Sequence, residues 1–198
     1  MKVGVVLLAA GGSSRLGHPK QLLIHQGKTL LRRAAEAAVR AGCGPVVAVL
    51  GAQAEAVQAQ LTELPVHMVR NESWETGLGS SLRVGLRALE AAEPAGATPG
   101  VDAVLIMLCD QLRVDVGHLR ALVKAFQRTE APIVASGYAG TRGVPALFSR
   151  AIFPELEALT LDEGARGVIA RKPSRVVEVT LEGGGEDVDT KADLSRLS

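Results

Sequence analysis

The order of apolar runs along this chain predicts an α/β fold: one domain, residues 1–198, with a Rossmann-like, mainly parallel sheet flanked by helices. Two observations carry that expectation. Strand-like runs that are apolar throughout alternate from end to end with amphipathic helical stripes, and strands buried on both faces belong to parallel sheets. At 198 residues the chain is also long enough for one well-buried domain and somewhat short for two.

Val3-Gly4-Val5-Val6-Leu7 opens the sheet. Leu30, Leu31, Ala34, Ala35 and Ala38 then recur at helical spacing, and Val46-Val47-Ala48-Val49-Leu50 reads as the next strand. Val66-His67-Met68-Val69 follows as a strand, with Leu82, Leu86 and Leu89 marking the helix after it. The stretch from Glu93 to Gly100, rich in Ala, Pro and Gly, reads as a surface loop. Ala103 to Leu108 is the most apolar strand, and the stripe Val116, Leu119, Leu122, Val123 and Phe126 behind it starts from Asp115 as N-cap. Ile133-Val134-Ala135 and Val176-Val177-Glu178-Val179 are further strand-like runs, and Glu182 to Glu186 reads as a loop. Thr190 with Asp193 fits a capping box for a closing helix.

Composition narrows the function classes. A formal net charge of +1 gives no support for nucleic acid or another polyanion as partner. The apolar runs are too short to span a bilayer, which takes roughly 20 residues. The N-terminus enters a strand at once, without the layout of a signal peptide, so a cytoplasmic location is expected. Cys43 and Cys109 are the only cysteines, in no metal-ligand or redox spacing, and read as reduced thiols.

The chemistry gathers where the strands end, which is where ligands collect in open parallel sheets. After the first strand come Leu8, Ala9, Ala10, Gly11, Gly12, Ser13 and Ser14, then Arg15 and Lys20. Glycines let a backbone approach a ligand and leave N–H groups pointing at it, while two cations face spread negative charge; phosphate suits such a cradle. The better-known phosphate loops are excluded. Gly12 and Gly17 have Walker spacing, but His18-Pro19 follow where Lys-Ser/Thr is required, and no Gly-x-Gly-x-x-Gly is present.

Asp110 follows the most apolar strand, where a carboxylate is costly unless a cation or hydrogen bonds compensate it. Asp115 is better placed as the helix cap, so a Mg²⁺ ligand is favoured for Asp110, hard Mg²⁺ taking one or two carboxylates plus phosphate oxygens. Asp189 stands before the cap at Thr190, and taken locally it reads equally as surface or ligand. Asn71, Gly77, Ser80 and Ser81 lie in the loop before the Leu82 helix. That loop reads either as a serine N-cap or as a second oxyanion or ribose site, with Trp74 a packing or a stacking residue.

Assembled, these residues resemble the molybdopterin nucleotidyltransferases, most closely their cytidylyl members, the molybdenum cofactor cytidylyltransferases. The resemblance rests on Leu-Ala-Ala-Gly-x-Ser-x-Arg-x-Gly-x-x-Lys from Leu8 to Lys20, continued by Gln21-Leu22-Leu23. It extends through Asn71-x-x-Trp74-x-x-Gly77-x-x-Ser80-Ser81 and Leu108-Cys109-Asp110-Gln111. Further segments are Gly143-Val144-Pro145, Asp162-Glu163-Gly164-Ala165-Arg166 and Asp187-Val188-Asp189-Thr190. It implies a nucleotide-diphospho-sugar transferase-like fold, with Arg15 and Lys20 on the triphosphate and Asp110 and Asp189 on Mg²⁺. Gln111, Pro145, Asp162, Gly164 and Arg166 would hold the acceptor.

The implied reaction transfers CMP from CTP to the terminal phosphate of molybdopterin or molybdenum cofactor, releasing pyrophosphate. A molybdoenzyme would receive the product. Ala10 after Ala9 marks the cytidylyl branch, guanylyl relatives carrying Leu-Ala-Gly-Gly. Leu112, Val144 and Leu161 depart from the family pattern, the last two on the acceptor side. GTP as donor, another cytidylyl or sugar-1-phosphate transferase, and a non-catalytic carrier of the cofactor are the alternatives.

Overall fold

Val3–Ala9 forms the central strand β1, and all seven of its residues are buried. The computed structural model describes residues 1–13, 16–91, 100–160, 163–188 and 191–197. Ser14, Arg15, Leu161, Asp162, Asp189, Thr190 and most of the loop expected from Glu93 to Gly100 lie outside the described residues. After β1 come a small hairpin, β2 (Ile24–His25) and β3 (Lys28–Thr29), then α1 (Leu30–Ala41), β4 (Val46–Leu50), α2 (Ala54–Gln58), β5 (His67–Arg70) and α3 (Leu78–Ala91). The second half contains β6 (Ala103–Leu108), α4 (Val116–Thr129), β7 (Ile133–Tyr138), β8 (Thr141–Ser149), α5 (Phe153–Glu157), α6 (Ala165–Arg171) and β9 (Val176–Thr180).

The main sheet has seven strands in the order β5-β4-β1-β6-β8-β7-β9. Only β8 runs antiparallel to its neighbours; the other pairings are parallel. Helices cover both faces, as the unbroken apolar strands require. One layer packs Leu31 and Ala35 of α1 and Leu119 and Leu122 of α4 on Leu7 and Leu105. The other packs Leu82 and Leu86 of α3, Leu156 of α5 and Val168 of α6 on Val6, Ile106 and Phe148. Each fully buried leucine of this kind contributes about 1.5–3 kcal/mol. Gly85 shows how closely α3 is seated: a Cβ there would lie 2.5 Å from Val6 Cγ1, so this helix tolerates a residue that costs about 1 kcal/mol in propensity.

Asp115 caps α4 as expected, accepting from the His118 N–H at 2.8 Å. Strand β8 has no counterpart in the sequence reading. Its Pro145 argues against a central strand, because proline cannot donate to a ladder. The structure resolves the conflict with a bulge. Ala135 pairs with Ala146 and Ser136 with Gly143, so Val144 and Pro145 fall in the register shift and no ladder bond is asked of the proline. Among the described residues no helix is long and apolar enough to cross a membrane.

The strand order reverses between β1 and β6, so the loops after β1, β4 and β6 open on one crevice. The antiparallel β8 begins at that same edge, which sets Tyr138 and Thr141, at the turn between β7 and β8, beyond the end of β6. An isolated bridge between Gln111 and Asp187 draws the chain after β9 alongside the end of β6.

Candidate active site

The loop leaving β1 is held open by a side chain. Gln21, 1% exposed, donates through Nε2 to the carbonyls of Ala9 and Gly11, each at 2.8 Å. The Ala10 carbonyl accepts from the Ala52 N–H at 3.0 Å. Three consecutive carbonyls are therefore engaged on the protein side, and among the described residues no backbone carbonyl accepts from the N–H groups of the exposed Gly11 and Gly12. Those donors are left for a ligand, as an anion cradle requires. Ser13 takes a left-handed φ of 52°, and its Oγ accepts from the Lys20 backbone N–H at 3.0 Å, folding the cationic end of the loop back over the start.

Lys20 reaches from there to the end of β6, where its Nζ donates to Asp110 Oδ2. Asp110 is 3% exposed, and its other oxygen, Oδ1, is buried without a hydrogen-bond partner among the described residues. A buried carboxylate oxygen without a donor is expensive, and the neighbouring lysine compensates only half of the group. Next to it Cys109 is inert: burial, reinforced by the Asp110 carboxylate, pushes its thiol up to about 12, so it stays protonated near neutral pH.

These groups face one cleft of about 280 Å³, lined by Leu8, Ala9, Ala10, Gly11, Gly12, Lys20, Gly77, Ser81 and Asp110 of the expected set. Trp74 forms a wall and is also half-buried against the core, so its packing and its ligand-facing roles coincide. Gly12 exists in contact with that ring; a Cβ there would lie 2.9 Å from Trp74 Cζ3.

Asn71 and Ser80 sit behind the cleft lining. Asn71 donates to Ser80 Oγ and Ser81 Oγ at 2.9 Å each, and its Oδ1 accepts from the Ser73 N–H at 3.0 Å. Ser80 Oγ in turn bonds the Gly77 carbonyl at 2.8 Å. The serines thus lie inside the first turn of α3, which starts at Leu78, and neither is the N-cap; with Asn71 they lock the turn that presents Gly77 and Trp74.

On the far side of β6, Gln111 donates to the Val144 carbonyl at 2.8 Å, and the Pro145 carbonyl accepts from Ser136 Oγ at 2.6 Å. Tyr138 also donates to the Val144 carbonyl, at 3.2 Å. Burial raises its phenol above the usual range, as do the carboxylates of Asp187 and Asp110, against Arg166 and a hydrogen bond with Gln111. Through the Val144 carbonyl that it shares with Gln111, Tyr138 links the end of β6 to a second pocket of about 610 Å³ that contains Thr141, Arg142 and Arg166. There Arg142 is paired with Glu178 at 2.9 Å, whereas Arg166 donates to Thr141 Oγ1 at 2.8 Å and has no carboxylate partner among the described residues. Gly164 starts α6, and a Cβ on it would lie 2.9 Å from Leu78 Cδ2 at the cleft rim.

Sequence reasoning missed Gln21 as a loop clamp and Tyr138 as the link. Gln21 directly follows Lys20 in the opening motif, which was its available signal. Tyr138 stands at the end of β7 with no local motif to mark it. Among the described residues no cluster of three or more His, Cys, Asp or Glu side chains could hold a metal ion; the second expected carboxylate, Asp189, lies outside them.

Known proteins resemble this chain along most of its length. Nicotine blue oxidoreductase of Paenarthrobacter nicotinovorans is 35% identical, over 97% of this chain and 94% of that protein. The purine catabolism protein PucB of Bacillus subtilis is 29% identical, over 93% of this chain and 90% of its own length. The crystal structure of Rv0371c from Mycobacterium tuberculosis superposes with a TM-score of 0.80 at 34% identity, covering 99% of this chain and 97% of that one. A second structure of Rv0371c is complexed with manganese, with a TM-score of 0.77 at 32% identity and coverage of 100% and 98%. The fold is that of the nucleotide-diphospho-sugar transferases, and the MobA-like NTP transferase domain matches residues 5–176. The chain belongs to the MobA-like NTP transferase family.

Proposed function

We propose that this protein transfers CMP from CTP to the terminal phosphate of molybdopterin or its molybdenum form, releasing pyrophosphate. The observation that carries the reading is the buried Asp110 carboxylate, bound on one oxygen by Lys20 and without a hydrogen-bond partner on the other among the described residues, in the same cleft as Gly11 and Gly12. Buried, hard and anionic, Asp110 Oδ1 fits a divalent cation such as Mg²⁺, with Asp189 as its expected second carboxylate. When bound, that cation would supply Lewis-acid stabilisation of phosphate charge.

The protein's own residues would do the remaining work. The Gly11–Gly12 backbone and Lys20, with Arg15 from the sequence motif, would bind the triphosphate and offset charge on the departing pyrophosphate. Trp74 would flank the nucleoside, and Gln21 would keep the loop donors aimed inward. The acceptor would enter from the Tyr138–Arg166 pocket, where a guanidinium held by a threonine, with no carboxylate partner among the described residues, suits an anionic group. An in-line displacement needs the acceptor phosphate to approach the α-phosphorus opposite the departing pyrophosphate, and separate pockets for nucleotide and acceptor would allow that approach. A phosphate nucleophile is anionic near neutral pH, so no general base is assigned. Cytidine is favoured over guanosine by Ala10, and a molybdoenzyme is the proposed recipient of the product.

Pyrophosphate release measured with each of CTP, GTP, ATP and UTP, crossed with molybdopterin, sugar phosphates and methylerythritol phosphate, tests this directly. Turnover confined to CTP with molybdopterin is expected. Tight CTP binding with no turnover on any acceptor would make the protein a carrier instead. The name of the Paenarthrobacter relative provides a third arm: reduction of nicotine blue by a reduced nicotinamide nucleotide, with no pyrophosphate released, would overturn the proposal.

A further inference from the structure

A third pocket lies behind the Asp110 loop, and nothing in the proposed reaction uses it. It runs between one face of α1 and the end of β6 with its following loop, and has a volume of about 270 Å³. On the helix side, Leu30, Arg33, Ala34, Ala37 and Arg40 follow the i, i+3, i+4, i+7 spacing of a single face. The two alanines leave room, and the two arginines flank it. On the loop side, Leu108, Cys109 and Leu112 supply an apolar wall that directly brackets Asp110 in sequence.

The charges in this pocket do not balance locally. Glu36 is already occupied by Lys28 at 2.6 Å and by Arg32 at 3.0 Å. Asp115 is engaged as the cap of α4, accepting from the His118 N–H. Among the described residues neither a carboxylate nor a carbonyl accepts from the Arg33 side chain, although it is half-buried. Burial pushes its guanidinium below the usual arginine range, which marks a cation taken partly from water with nothing to compensate it. By contrast, Arg32 on the adjoining face is fully engaged, with Glu36 and the carbonyls of Gln60 and Thr62.

We infer that this pocket is a binding site for a small organic oxyanion, a phosphate or carboxylate on a compact apolar body, held by Arg33 with Arg40 as its outer partner. The guanidinium fork suits either oxyanion, the alanine floor and Leu112 take the apolar part, and the volume suits a small molecule. Because Leu108 and Cys109 also line the nucleotide cleft, an occupant would press on the far side of the segment that carries Asp110. The site is independent of which nucleotide or acceptor the cleft takes.

The test uses phenyl phosphate and benzoate as probes, titrated by calorimetry into the intact wild type and the Arg33→Met, Arg33→Lys and Lys20→Met variants. Saturable binding of at least one probe to the wild type is expected, weakened at least tenfold in Arg33→Met, partly retained in Arg33→Lys and unchanged in Lys20→Met. The preferred probe identifies the headgroup. Thermal melting of Arg33→Met is expected at or above the wild-type temperature, since the change removes an uncompensated cation, and this separates lost binding from lost folding. Wild-type-like affinity in Arg33→Met, loss that follows Lys20→Met instead, or no saturable binding of either probe would overturn the assignment.

Discussion

At the scale of single residues, the proposed chemistry rests on Asp110 and Lys20, and their roles can be separated because their burial differs. Lys20→Ala removes the cation beside a buried carboxylate and Asp110→Asn removes the anion while keeping its shape. Both are expected to lower kcat about a hundredfold or more, on the order of 3 kcal/mol of transition-state stabilisation, with the fold intact by circular dichroism. Lys20→Ala is expected to lose more thermal stability than Asp110→Asn, because it alone leaves a buried charge unpaired. Asp189→Ala, measured as pyrophosphate release against Mg²⁺ concentration, is expected to recover in part at high Mg²⁺; a response flat in Mg²⁺ would remove it as a ligand. Asp110 was legible in the sequence as an acid set after a strand, whereas Asp189 read locally as either surface or ligand. The bare oxygen of Asp110 was not legible, since it depends on what the fold places around it.

At the scale of elements, the β1 loop is a cradle because a side chain outside it engages its carbonyls. Gln21→Ala leaves the Ala9 and Gly11 carbonyls without their partner, at about 1–3 kcal/mol for each group that stays buried. Freed carbonyls can turn toward the cleft and repel phosphate. A raised KM for the nucleotide is therefore expected, with a smaller change in the acceptor KM in steady-state kinetics. Across β6, His118 on α4 supports β8 through a 2.7 Å contact of Nε2 with Ser136 Oγ, and Ser136 holds the Pro145 carbonyl. Burial lowers the His118 pKa, outweighing the opposing pull of Asp115. The folded state therefore resists protonation while the unfolded chain accepts a proton near pH 6.5. Stability is full above about pH 6.5 and falls as pH drops from there toward the folded pKa. Urea unfolding across that range is expected to show this slope in the wild type and a shallower one in His118→Gln.

At the scale of the whole molecule, the sheet order divides the labour. In the proposed function, strands β5, β4 and β1 would carry the nucleotide loops on one side of β6, and β8, β7 and β9 the acceptor pocket on the other. Arg166→Ala is accordingly expected to raise the acceptor KM about tenfold or more while leaving the nucleotide KM near wild type. Equal effects on both would show that the two pockets are not separate. The bridge between Gln111 and Asp187 closes the arrangement by tying the C-terminal segment to the end of β6, a contact between residues far apart in sequence.

The sequence by itself determined the layered fold, its parallel strands and the opening motif, because unbroken apolar runs, helical periodicity and short glycine-rich spacings are local properties. It marked Asp115 as a cap for the same reason. The tertiary structure alone decided that β8 is a strand despite Pro145, that Gln21 clamps the loop, and that Tyr138 links its pocket to the end of β6. Each of those depends on partners distant in the chain: a register shift that removes the ladder bond proline cannot make, carbonyls turned toward a buried amide, and a phenol brought beside three charged groups by the folding of the sheet.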